Sequence, residues 1–554
     1  MYTNSVIIRK ITAFLAWLNY YFEYSLIYKG FLVVQNAARG SRILGGFVST
    51  EYRDYWQGSL ILRLLAFVCG KIILAGGWVV NALARLNETS MTRRVYQFLR
   101  KSLILNWLLN LRNAYMLFIV GALLFPAHMW NNMLLLLSAV VFSMLYAVKW
   151  AASAASAVAP LAFSQKCLAK PHNVTKNTAS SDGLDEPHNV TSSTTSEECH
   201  ANPHKTPISF SHISPALLIF VFFCGLSIIT GYGGGDSLRV FIILFACVVH
   251  SVLVSLIFTK KEDFRMFFVF LAAALALVAL YGIYLFMGGI EIREELVDLG
   301  VSPGLSRLYS TMGNPNTDAM FWAMVLPFVL AVCVTVKSDT ARFLLAAAFA
   351  IVLAAFALTY SRSGYVAFMA GVGVFILLTA PRLVPVALFA LVLALPFIPA
   401  GIIERLFTLG QDSSSRYRFL IWEGTGRMLH DFWVRGIGMG PAAFIRIYSD
   451  YSHPLAERAM HSHNTFLDIL SHSGIGAFLA FLAYLYRLLR RGIATHFASD
   501  DLETKIFISA GIAAIAVFII VGLGEYVWFY PRVMFVFWVC AGVLGGLCMG
   551  KKAI

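Results

Sequence analysis

Long apolar stretches recur along most of this chain, each close to the length of a bilayer crossing and each ended by a polar or basic turn. A bilayer core takes roughly 20 apolar helical residues. The pattern predicts spanning helices near 106–126, 129–150, 213–231, 237–258, 264–287, 317–337, 341–359, 364–380, 383–400, 472–489, 505–523 and 531–549. The expected fold is all-α, a polytopic transmembrane helical bundle of roughly twelve spans.

Two regions break the pattern. Residues 1–105 carry basic side chains inside their apolar stretches, among them Arg39, Arg42, Arg63, Lys71, Arg93 and Arg94. That suits helices lying in the membrane interface, with room for one or two spans near 11–34 or 60–84. Residues 164–212 are rich in Ser, Thr, Asn and His and repeat PHNVT at 171–175 and 187–191. This stretch cannot bury a core and is expected to be a disordered polar linker after the first two clear spans of 106–163. A transmembrane core over 213–400, a large loop over 401–471 and C-terminal spans with a short tail over 472–554 complete the organisation.

Orientation follows from the basic turns. Lys260, Lys261 and Arg265, then Lys337 and Arg342, then Arg382, then Arg487, Arg490, Arg491 and Lys505, then Lys551 and Lys552, all fall on one side of the predicted spans. That side is expected to be the cytoplasm, and the 164–212 linker lies with it. Segments 288–316, 360–363, 401–471 and 524–530 then face outward, the long one carrying short helices.

Composition agrees with a membrane protein: 59% hydrophobic and 13% charged residues, against about 25% charged in soluble domains. The net charge of +14 reads as cytoplasmic loop charge and attraction to anionic membrane lipids. No basic, aromatic-laced module suggests nucleic-acid binding. The eight cysteines are scattered without a C-x-x-C, and the His and Cys residues of 164–212 match no zinc spacing. Neither a disulfide framework, a metal nor a cofactor is expected. No cleaved signal peptide is expected either.

The outer loop concentrates the chemistry. Over 401–471 there are seven arginines (405, 416, 418, 427, 435, 446 and 458), no lysine and seven acids. Arginine offers a planar fork that binds phosphate bidentately. Most of these arginines are expected to pair with the loop's acids, leaving two or three for an anionic ligand. His461 and His463 flank Ser462 just before the next predicted span, and histidine is the side chain most easily tuned for proton transfer near neutral pH. Arg362 sits in the tight turn 360–364, where it either snorkels to headgroups or points between helices.

At these residues the chain resembles the O-antigen ligase and O-antigen polymerase superfamily of bacterial envelope glycan enzymes. Gly313–Asp318 (GNPNTD) is similar to the family's N-P-N turn, and Ser361–Gly364 (SRSG) to its S-R-[SG]-[GA] turn. Arg418–Trp422 followed by Gly436–Gly440 is similar to its R-x-x-x-W segment with a downstream G-x-G. His463–Leu467 with Gly474 is similar to its H-N-x-x-L motif and the glycine that opens the next span. The resemblance covers about 213–549. One departure is Ala477, which stands where the family usually has a second glycine.

The resemblance implies transfer of a glycan from an undecaprenyl-pyrophosphate carrier to a hydroxyl of an acceptor glycan, lipid or protein. It implies the outer face of the bacterial cytoplasmic membrane and neither nucleotide sugar nor metal. Arg362 and Arg418 would hold the pyrophosphate, with Arg416 the alternative to Arg418. His463 would act as general base or orient the acceptor, with His461 beside it. Asn464, Asn316 and Trp422 are further candidates for substrate contact. The competing class is a lipid-linked glycan transporter or flippase. Such proteins usually place ionisable groups near the bilayer midplane, whereas here the polar residues gather at the outer loop.

Overall fold

The computed structural model describes residues 102–149 (Leu109 excepted), 213–289, 307–385 and 413–549, with the single positions 389 and 393. The interfacial region 1–105 (all but its last few residues), the linker 164–212, the predicted span 383–400 beyond its first turn, and Arg405 lie outside the described residues. Described residues up to Met144 and from Ile213 on form one compact unit. The end of the third helix, Leu145–Lys149, falls in a second unit of which no more is described.

Among the described residues the helices are α1 (Leu103–Leu108), α2 (Leu111–Leu124), α3 (Met133–Lys149), α4 (Pro215–Thr230), α5 (Gly234–Ile257), α6 (Lys261–Met287), α7 (Pro315–Thr335), α8 (Asp339–Ala357), α9 (Arg362–Thr379), α10 (Ser413–Phe432), α11 (Pro441–Tyr448), α12 (Thr465–Ala498), α13 (Leu502–Gly522) and α14 (Pro531–Leu547). Seven of them (α5 to α9, α12 and α13) are long and apolar enough to cross a membrane, and α2, α3, α4 and α14 are shorter apolar helices. These eleven fall on the predicted spans. The bundle is all-α and polytopic.

Local chemistry sets the helix starts. Asn314 caps α7 by accepting from the N–H groups of Asn316 and Thr317, and Pro315 takes the first helical position, where its missing donor costs nothing. Asn464 caps α12 in the same way, accepting from Phe466 and Leu467. Asp501 caps α13. Helix α7 is the centre of the bundle, with Phe321, Trp322 and Phe328 fully buried. Large apolar side chains left exposed, such as Phe222, Ile229, Tyr284 and Phe343, form the surface a bilayer would cover.

Successive helices return to two opposite faces. On one face Lys261 pairs with Asp501 at 3.0 Å, Arg265 pairs with Glu503, and Arg112 pairs with Asp263. Lys261 and Arg265, two of the basic residues used for orientation, lie there. The other face gathers 231–233, 307–314, 358–361, 433–464 and 523–530.

On that second face the loop between α10 and α11 is threaded through a break in α12. Gly474 leaves the helical conformation (φ 75°, ψ 179°) inside the Thr465–Ala498 helix, freeing carbonyls of the preceding turn. The loop satisfies them: Ile437 donates to the Ser471 carbonyl at 2.8 Å and Gly438 to that of His472 at 3.0 Å. In return Ile475 donates to the Trp433 carbonyl at 2.8 Å, and Tyr232 donates to that of Ile437 at 2.7 Å. Sequence reasoning ends the loop at 471 and opens the span at 472. The helix instead begins at Thr465, because these cross-bonds keep both sides of the glycine break in one continuous element.

Candidate active site

Helix α10 presents Arg418 and Trp422, one turn apart, to the same neighbour. The Trp422 indole N–H donates to the Ser462 carbonyl at 2.8 Å. Arg418 forms an ion pair with Glu525, in the loop between α13 and α14. The other carboxylate oxygen of Glu525 lies 3.5 Å from Nδ1 of His463. One buried carboxylate therefore joins the R-x-x-x-W helix to the H-N turn.

The H-N turn is held on every side. Ser462 donates its N–H to both oxygens of the buried Asp468, at 3.1 and 3.2 Å, and its hydroxyl to one of them at 2.9 Å. His463 adopts φ 52°, a left-handed conformation uncommon outside glycine that persists where the surroundings over-determine it. Its N–H donates to Nδ1 of His461 at 3.1 Å, so Nε2 of His461 carries that ring's proton. The His461 ring packs 4.2 Å from that of His463 and 4.5 Å from that of Phe529, centre to centre. Burial, and then the neighbouring His463, push His461 down to about 3, so it is a neutral wall of the site at ordinary pH.

Burial alone would raise Glu525, but the Arg418 guanidinium and then His463 outweigh it and hold the carboxyl down to about 2. The sign follows: the stabilisation from this ionised group is fully present above the ordinary glutamate range and is lost as pH falls towards about 2. Glu525 is nearly buried, with 8% of its side chain exposed, while Arg418 at 22% and His463 at 28% remain reachable from outside.

A second group lies on the same face. Arg307 donates from Nε to the Thr359 carbonyl at 2.8 Å and from Nη2 to the side-chain oxygen of Asn316 at 2.6 Å. It thereby ties the N-P-N turn to the S-R-S-G turn, where Arg362 opens α9 after a left-handed Tyr360 (φ 51°). Asp318 accepts from Ser310 at 2.7 Å, and Arg532 donates to the carbonyls of Phe125 and Thr311, fixing the segment before the turn.

The remaining candidates divide. Asn464 is committed to its cap, and its amide donates to the Leu523 carbonyl at 3.0 Å. Arg416, two residues from Arg418, lies on an exposed part of α10. Fewer loop arginines meet loop acids than expected: among the described residues Arg427 pairs with Glu423 at 2.8 Å, whereas Arg418 uses a carboxylate from another loop and Arg435 donates to the Tyr232 hydroxyl at 2.7 Å. Sequence reasoning missed Glu525 and Arg307. The available signal for Glu525 was its place as the one carboxylate after Glu503, in an outer turn of an otherwise apolar stretch.

Residues 347–482 match the family model described as O-Antigen ligase. Over this stretch the chain is similar to the O-antigen ligase family. No curated protein matches it. The matched region runs from within α8 into α12 and contains the S-R-S-G turn, Arg418, Trp422, the glycine loop and the H-N turn. Glu525, Arg307 and the N-P-N turn lie outside it in sequence and fold against it, so the candidate site draws on elements on both flanks of the matched region.

Trp422→Phe keeps an aromatic ring, smaller than the indole, and loses the hydrogen bond that holds the H-N turn. The expected stability cost is about 1 kcal/mol, with a fall in transfer rate larger than that cost alone would cause. Thermal melting and transfer assays on the same preparation check both.

Proposed function

We propose that this protein moves a glycan from an undecaprenyl-pyrophosphate carrier to an acceptor hydroxyl at the extracytoplasmic face of the bacterial cytoplasmic membrane. The observation that carries this reading is the single Glu525 carboxylate shared between Arg418 and His463, inside a site built around an O-antigen ligase region. The segregation of the basic turns to the opposite face supports the sidedness.

The acceptor oxygen attacks the anomeric carbon, and its proton passes to Nε2 of His463. The bond from that carbon to the phosphate oxygen breaks, and the polyprenyl pyrophosphate leaves with the electron pair. Glu525 orients the Nδ1–H of His463 and stabilises the imidazolium that forms. Arg418, with Arg362 from the second group, neutralises charge growing on the leaving phosphate. Direct displacement inverts the anomeric configuration, which NMR of the product linkage reads. His461 packs the base in place, and Asn316 and Trp422 hold the two turns.

Arg362→Ala and Arg418→Ala are each expected to raise the donor KM by roughly 10–100-fold, the factor for losing a charged hydrogen bond. Proteoliposomes holding the full chain and a lipid-pyrophosphate glycan pool give the measurement, and product length separates a ligase from a polymerase. Donor crossing the bilayer without a new glycosidic bond would replace this reading by the transporter.

A further inference from the structure

We infer that Glu525 is a positioning residue that couples donor binding to the base: it neutralises Arg418 while the site is empty and is released to His463 when a pyrophosphate takes its place. This rests on the proposed transfer reading and adds a regulation of the same site.

The backbone around Glu525 is fixed, so only its side chain is free to redistribute. Its N–H donates to the Val521 carbonyl at 3.0 Å. Its own carbonyl accepts from the Thr465 N–H at 3.1 Å and the Thr465 hydroxyl at 2.8 Å. Val527 donates back to that hydroxyl at 3.0 Å. The carboxylate is then held unequally. Arg418 is in direct ion-pair contact, while His463 stands at 3.5 Å, the outer limit of a hydrogen bond.

A buried carboxylate needs a cationic partner, and in the empty site Arg418 is that partner. The same pairing cancels the charge Arg418 would offer to an anion. A pyrophosphate presents more charge than one carboxylate and suits the guanidinium fork. Once Arg418 turns to it, the nearest group able to compensate Glu525 is the imidazole of His463. The carboxylate then accepts from the Nδ1–H of His463, which aims Nε2 at the acceptor when a donor is in place. His461 faces the same ring as a neutral neighbour and does not compete for the charge.

The coupling predicts opposite effects on binding and turnover from one substitution. Glu525→Gln removes the competitor for Arg418 and the partner of His463 together. Inorganic pyrophosphate, titrated calorimetrically against the purified full chain, is expected to bind roughly tenfold more tightly, the factor for one modest charge interaction. The donor KM is expected to fall with it. The kcat is expected to drop by roughly 10²–10⁴-fold, as when an orienting carboxylate is lost from a catalytic histidine. A merely structural role would weaken binding and turnover together, and that result overturns the coupling, as does an unchanged kcat. Should Glu525→Gln fail to fold, Glu525→Asp keeps the charge but cannot span both partners. It must lower kcat without raising the donor KM, and a raised KM overturns the coupling. Wild type that neither binds pyrophosphate nor makes linkages fails the transfer reading itself; wild type that does both beside an unsplit Glu525→Gln fails the coupling alone.

Discussion

Replacing His463 by alanine is expected to reduce glycan transfer by roughly 10²–10⁴-fold, the usual contribution of a positioned proton acceptor, with little change in thermal stability. The imidazole is partly exposed and packs against His461, so its removal opens no buried core cavity. What is lost, on the proposed mechanism, is the proton acceptor next to Glu525. Alanine keeps the Cβ, so the left-handed backbone at this position is not relaxed, and Ser462 and Asn464 still hold the turn from both sides. His461→Ala is the informative companion. That ring is half-buried against Phe529 and already neutral, so its loss is expected to act through the position of His463 and to be milder. Initial rates and melting curves on both variants test the distinction.

Gly474→Ala is expected to be the most damaging single change to the fold, at more than about 4 kcal/mol, in the range reserved for backbone and core disruption. Gly474 has φ 75°, and an added Cβ would sit 2.1 Å from the Val434 carbonyl oxygen and 3.0 Å from the Arg435 carbonyl carbon. Backbone, not a flexible side-chain end, blocks it. The break in α12 and the loop threaded through it would have to separate, releasing the cross-bonds from Ile437, Gly438 and Ile475. Gly426→Ala is the control: it lies in α10 with nothing within 4 Å of an added Cβ, and alanine there is expected to stabilise by up to about 1 kcal/mol. Melting temperatures in detergent, compared between the two, measure the difference.

The spans were legible in the sequence because lipid demands continuous apolar runs with internally satisfied backbones. The H-N and N-P-N motifs were legible as short strings, but not the local work of their asparagines. Asn464 and Asn314 are both helix caps, and a capping asparagine looks the same in a sequence as one that touches substrate. Trp422 was legible as part of R-x-x-x-W, yet its indole binds the Ser462 carbonyl. The span was placed at 472 because the polar Asp468, Ser471 and His472 interrupt the apolar run, whereas the helix starts at Thr465, and the loop that bonds across the Gly474 break comes from about 40 residues earlier in the chain. The roles of Glu525 and Arg307 were hidden for the same reason. Each gains its role from partners far along the chain, Glu525 from Arg418 and His463, Arg307 from Thr359. No periodicity or local spacing encodes such contacts.

The measurement that tests the central claim most directly is linkage formation by the purified full chain in proteoliposomes loaded with lipid-pyrophosphate glycan, wild type beside folded His463→Ala. It scores new glycosidic bonds against polyprenyl pyrophosphate released. The account predicts that wild type releases one carrier pyrophosphate for each bond it makes, and that His463→Ala does neither at a comparable rate. Equal transfer by the two proteins, or wild type that moves donor across the bilayer without making a bond, would contradict it.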